Sequence, residues 1–156
     1  MSVKYQLLLE QVAIGKRFLN CKLVCNPILT PRDAYSVFKP IGGLKDEVLE
    51  AIYLNAKNCP VHHEVLSVGD RQRALIDIGK VFEHCFAARA VGVILAHNHP
   101  SGDVRPSRRD LEQTDNVRKA GKLLERPLVD HLIIGQDRFY SILDSEHYEQ
   151  KSPLSD

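Results

Sequence analysis

The chain has almost no charge imbalance: 21 Lys and Arg stand against 20 Asp and Glu, for a net charge of +1 over 156 residues. The composition as a whole therefore offers no long-range attraction toward nucleic acid or an anionic membrane. No apolar run approaches the roughly 20 residues that cross a bilayer, and Met1-Ser2-Val3-Lys4-Tyr5-Gln6 is not a secretory start. The expectation is a cytoplasmic protein with no membrane partner. Cysteine is sparse too. Of Cys21, Cys25, Cys59 and Cys85 only the first two are close, no Cys-x-x-Cys occurs, and no second pair completes a thiolate zinc shell, so free thiols are expected. What remains is a chain of one-domain size, long enough to bury a core without staples.

One stretch stands out against this ordinary background. The apolar run Ala90-Val91-Gly92-Val93-Ile94-Leu95-Ala96 has the length and β-branching of a buried strand. It opens directly into His97–Asp110, HNHPSGDVRPSRRD. At extended spacing His97 and His99 leave the backbone on one side and can reach one metal ion. Asp110 can supply a third, harder ligand. Three ligands drawn from His and carboxylate, with a position open to water, are the pattern of catalytic zinc. Ser107-x-x-Asp110 is also a helix capping box, as is Thr30-Pro31-Arg32-Asp33, which has no histidine nearby. Ser107 is expected both to cap a helix and to point into the site, with Asp110 in the first turn, where the helix dipole favours its ionised form.

Along the rest of the chain, apolar spacing predicts a helix over Tyr5–Leu19 and a loop over Cys21–Leu29. Thr30 caps a short helix through Phe38, broken by Pro40-Ile41-Gly42-Gly43. Strands are expected over Val48–Asn55 and Val61–Val68, joined by a turn rich in Asn and Pro. A helix follows over Asp77–Arg89, with Ile78, Val81, Phe82, Cys85 and Phe86 on one face. A second spans Ser107–Leu124, with Leu111, Thr114, Val117 and Leu124 spaced for burial and Gly121 allowing close packing. Leu128–Gly135 and Arg138–Leu143 form a closing hairpin, and residues 145–156 read as a polar, frayed tail. The order implies an α/β sandwich, a mixed sheet between helices.

His97-x-His99, Ser107 and Asp110 together resemble the JAMM motif of JAB/MPN-domain metalloproteins, and Ala96-His97-Asn98-His99-Pro100-Ser101-Gly102-Asp103 resembles the RadC branch, also called UPF0758. The resemblance runs from about Ile28 to Leu143 and includes Asp130-His131-Leu132-Ile133-Ile134-Gly135. It implies the three-layer JAB/MPN fold, similar to that of cytidine deaminases, over residues 28–144, with residues 1–27 as an N-terminal helix and linker. The deaminase activity itself is disfavoured, since no Cys-x-x-Cys is present to hold its zinc. The literal His97-Asn98-His99 is not an HNH nuclease signature, whose residues are spread over a ββα unit. Ala13–Leu19 resembles the helix that joins a helix-hairpin-helix region to this domain in longer relatives. That region is not in this sequence, which weakens a DNA role. Asp77-Ile78-Gly79-Lys80-Val81 replaces the His-Pro-Arg-Glu-Val common in the family.

The resemblance further implies one zinc ion per chain on His97, His99 and Asp110. Glu64, five residues before Gly69, takes the place of the catalytic glutamate, with His62 or His63 as the alternative reading of that strand. A water on zinc has its pKa lowered from near 16 toward roughly 7. Glu64 would take its proton and return it to a leaving amine, and Ser107 would stabilise the oxyanion. The expected activity is hydrolysis of a peptide, isopeptide or other amide substrate. The competing reading is a non-catalytic binding or DNA-repair-associated accessory module. Arg105, Arg108, Arg109, Arg118, Lys119, Lys122 and Arg126 speak weakly for nucleic acid, because Asp103, Asp110, Glu112, Asp115 and Glu125 are interleaved among them.

Overall fold

A computed structural model of the protein describes residues 26–69, 76–144 and 147–149. The helix expected over Tyr5–Leu19 and the loop over Cys21–Cys25 lie outside the described residues. Thr30 caps helix α1 (Pro31–Phe38) with a complete capping box through Asp33 and a Pro in the first turn. A 3-10 turn over Lys39–Gly43 follows. Strands β1 (Val48–Leu54) and β2 (Pro60–Val68) pair antiparallel, helix α2 spans Ile78–Ala87, and strand β3 (Gly92–Asn98) comes next. Helix α3 (Arg108–Leu123) crosses over to strand β4 (Leu128–Ile134), and β5 (Arg138–Ser141) and β6 (His147–Glu149) are the last described elements. Within the stretch expected to be a frayed tail, then, three residues pair with β5.

The strands form one mixed sheet in the order β2-β1-β3-β4-β5-β6, in which only β3 and β4 run parallel. Every residue of β1 and β3 is buried, as continuous apolar runs in the middle of a sheet require. One face packs Ile52, Ile94, Ala96, Leu132 and Ile134 against Tyr35, Phe38 and Ile41. The other packs Leu49, Ala51, Leu95 and Leu128 against Val81, Phe82, Cys85 and Val117 of α2 and α3. Helices on both faces of a mixed sheet are the expected three-layer architecture.

Two details of the amphipathic reading are corrected. On α3, Thr114, Val117 and Gly121 are buried, but Leu111 is 47% exposed and Leu124, the C-cap, 39%, because a helix lying on a sheet hides a stripe narrower than its apolar spacing suggests. On α2, Phe86 is largely exposed, with the Arg126 guanidinium 5.2 Å from its ring centroid. Gly121 does permit close approach: a Cβ there would lie 2.6 Å from the Arg126 carbonyl oxygen. Cys85 is a free, buried thiol, whereas Cys59 is disulfide-bonded, contrary to the expectation of free thiols throughout. No helix among the described residues is long and apolar enough to cross a membrane.

Candidate metal centre

Strand β3 carries His97 out of the sheet on the same face as Val93 and Leu95, toward α3. A turn closed by the Gly102 amide donating to the His99 carbonyl, with Gly102 at φ +79°, folds the following loop back over the strand end. His97 Nε2 and His99 Nε2 then lie 3.1 Å apart. Asp110, in the first turn of α3, brings Oδ1 to 3.3 Å from His97 Nε2 and Oδ2 to 3.5 Å from His99 Nε2. The three residues form one convergent group. Ser107 joins it indirectly, as the cap of α3. Its amide and hydroxyl both donate to Asp110 Oδ2, at 2.7 and 2.6 Å, while its Oγ accepts from the Asp110 amide. Ser107 thus fixes the carboxylate. Burial alone would raise the Asp110 pKa, but the two imidazoles and the Ser107 hydroxyl outweigh it and hold the carboxyl far below its usual range.

The hydrogen bonds behind this group determine which nitrogens are free. Thr114 Oγ1 donates its only hydrogen to the Asp110 carbonyl at 2.6 Å, so the contact of 2.7 Å between Thr114 Oγ1 and His131 Nδ1 must have His131 donating. His131 is wholly buried, and that burial keeps it neutral, with a pKa well below the ordinary value. Its Nε2 is therefore an acceptor, and His97 Nδ1 donates to it across 2.9 Å. His99 Nδ1 likewise donates to the Asp103 carbonyl at 2.6 Å. In the neutral forms both Nε2 atoms are left as bare lone pairs facing each other and a carboxylate. Such a set calls for a cation. Sequence reasoning missed His131: its role depends on the parallel pairing of β3 with β4, which sets His131 opposite Leu95, and no local spacing signals that.

Glu64 is not brought to this group. It pairs with Ala51, which in turn pairs with Leu95, while the His97 row holds Leu49 and Ser67. Glu64 is thus two strands across, ~10 Å, and two residues along, ~7 Å, from His97. Its carboxylate instead lies 3.1 Å from His62 Nε2 and 3.9 Å from His84 Nδ1. His63 points to the opposite face, 3.0 Å from buried Glu50, so the two histidines of β2 do not act together.

A carboxylate nearer the centre is Glu47. It immediately precedes β1, two residues before Leu49, the partner of His97. Its carbonyl accepts from the Gly69 amide, which continues the ladder past the strand end. Its charge reaches His99. Burial acts against the charged form of that imidazole, but Asp110, the Asp103 carbonyl and Glu47 together hold its pKa above the ordinary value. Asn98 secures this segment. Fully buried, it accepts from the Val48 amide at 2.7 Å and donates to the carbonyls of Leu44 and Asp46 at 3.2 and 3.0 Å.

Along the loop and α3, acids interleaved among the basic residues do engage them. Arg105 pairs with Asp103, Arg108 with Glu112, and Arg118 and Lys119 both with Asp115.

Residues 28–148 match the family model of the RadC-like JAB domain. Among similar proteins are UPF0758 proteins of Methanococcoides burtonii, 39% identical over 116 residues covering 74% of this chain and 51% of the relative, and of Carboxydothermus hydrogenoformans, 36% identical over 115 residues covering 73% and 51%. One from Staphylococcus carnosus is 33% identical over 123 residues, covering 78% and 54%. The chain thus spans about half the length of these relatives. Their names specify no reaction.

Proposed function

The chain belongs to the RadC-like JAB domain family, and from that premise we propose that it is a zinc-dependent hydrolase of the JAMM type, acting on a peptide, isopeptide or other amide bond. The observation that carries the reading is the convergence of the Nε2 atoms of His97 and His99 and the Asp110 carboxylate on a single point. Borderline nitrogen donors with one carboxylate and no thiolate suit a catalytic rather than a structural zinc. His97, His99 and Asp110 would hold the ion, which when bound supplies a Lewis acid and a water acidified toward neutral pH.

The chain's own residues do the rest. His131 keeps His97 in the tautomer whose Nε2 is free, and Ser107 and the α3 dipole keep Asp110 ionised and aimed. Glu47, in place of Glu64, is the general base: its charge reaches His99, and it is not a member of the ligand group. It accepts a proton from the attacking water and passes it to the departing amine. The Ser107 hydroxyl, once its hydrogen leaves Asp110, donates to the oxyanion, an interaction typically worth about 3 kcal/mol.

The test is zinc content by elemental analysis together with amide hydrolysis. His99→Ala should lose one equivalent of zinc and all turnover, whereas Glu47→Gln should keep the zinc and lose turnover by ~10²-fold or more. Full activity in Glu47→Gln would remove it as the base, and an unchanged zinc content in His99→Ala would overturn the metal reading.

A further inference from the structure

Glu64 stands away from the centre just described, but it does not stand alone. On β2, His62 and Glu64 are two residues apart and project from the same face. His84 meets them from the last turn of α2. The ligand atoms of the three side chains lie within 4.8 Å of one another, and among the described residues the only other such group is His97, His99 and Asp110. His62 Nε2 is 3.1 Å and His84 Nδ1 3.9 Å from the same oxygen, Glu64 Oε2. An ion ~2.1 Å from each donor sets ligands roughly 3 to 3.5 Å apart, a spacing the His62–Glu64 pair already has and that His84 reaches by closing toward both.

The surroundings fix the imidazoles in place. The His62 and His84 rings stack at 5.8 Å and 21°, and the Tyr53 ring packs against both, at 5.6 and 6.3 Å. The Tyr53 hydroxyl is buried and makes no hydrogen bond among the described residues, which is uncommon for a buried donor. Solvent still reaches the ligands: the side chains of His62, Glu64 and His84 are 40%, 29% and 27% exposed. A hydrogen-bonded His62–Glu64 pair needs no second imidazole. The arrival of His84 turns the pair into a set of two histidines and one carboxylate with open coordination positions.

We propose that His62, Glu64 and His84 form a second site for a divalent first-row transition ion such as zinc, separate from the His97–His99–Asp110 centre. The separation of Glu64 from His97 is several times the roughly 4 Å of bridged two-metal sites, so the second ion takes no part in the same reaction. It clips the edge strand β2 to α2, and any ion held by the folded form stabilises that form by mass action.

The experiment is zinc stoichiometry after dialysis against metal-depleted buffer containing micromolar zinc, on the full chain. Wild type is expected to bind two equivalents, His99→Ala one, His84→Gln one and the double variant none. In the His99→Ala background, cobalt(II) should give a visible ligand-field spectrum that disappears in the double variant, and zinc should raise the melting temperature only while His84 is present. If His84→Gln loses its far-UV circular dichroism, His62→Gln takes its place. A His99→Ala protein that binds no zinc, or a double variant that still binds one, overturns the second site. The two readings fail separately: one wild-type equivalent lost only with His99 leaves the first centre standing, and one lost only with His84 leaves the second.

Discussion

His131 lies 2.9 Å behind His97, its Nε2 accepting from His97 Nδ1, and is itself tied through Thr114 to the backbone of Asp110. One buried side chain therefore connects two of the three ligands. Replacing it with Phe, which fills the space but offers no acceptor, should weaken zinc binding by ~10–100-fold. His131→Gln can accept from His97 and donate to Thr114, and should recover most of the affinity. Competition with a chromophoric chelator measures both. A Phe variant with wild-type affinity would mean that His131 only fills volume.

Asn98→Ala separates metal binding from catalysis. It removes the bonds that hold Leu44, Asp46 and Val48 and leaves those buried groups unpaired, costing roughly 1–3 kcal/mol of stability. The ligands are untouched. Zinc content should persist while kcat falls, because Glu47 is no longer held, and parallel measurement of zinc content and turnover checks this. Equal loss of both would point to general unfolding.

Ser107→Ala should cost about 1 kcal/mol as a lost helix cap, roughly 2–4 °C in melting temperature for a domain of this size. It should also weaken zinc binding, because Asp110 Oδ2 loses a donor. Thr30→Ala removes an equivalent cap in a box with no metal ligand. It should show the thermal loss without the change in affinity, and calorimetric unfolding with a zinc titration of each variant distinguishes the two.

Asp130 provides a pH signature. Burial raises its pKa against the opposing bonds from Ser141, His131 and Leu143. A folded-state pKa above the unfolded one contributes stability that is complete below the unfolded value, near 3.9, and is lost as pH rises through the folded value. Asp130→Asn keeps the amide contacts and can donate to Ser141. The variant should therefore be at least as stable as wild type at pH 7, and its advantage should shrink toward pH 4. Urea unfolding at several pH values tests the slope, and an advantage that grows on acidification would reverse the assignment.

These residues also show where the sequence was legible. His97, His99, Ser107 and Asp110 lie within one strand-loop-helix passage, where spacing translates directly into geometry. The capping box at Thr30, the strand character of β1 and the buried run of β3 were legible for the same reason. The base was not. Glu64 lies within β2 and Glu47 just before β1, and only the register, Ala51 with Leu95 and Leu49 with His97, shows which one comes nearer the ligands. The partnership of His62 with His84 was hidden likewise, since it joins an edge strand to a helix about 20 residues later in the chain.

His97, Asp110, Thr114 and His131 all belong to the single crossover β3-α3-β4, whereas Glu47 arrives from β1. The ligand set and its buried support can thus assemble as soon as one contiguous βαβ unit has formed, before the β1 ladder docks. During refolding, ion capture would then precede recovery of turnover, and a stopped-flow zinc indicator would report the birth of this unit as a kinetic phase of its own.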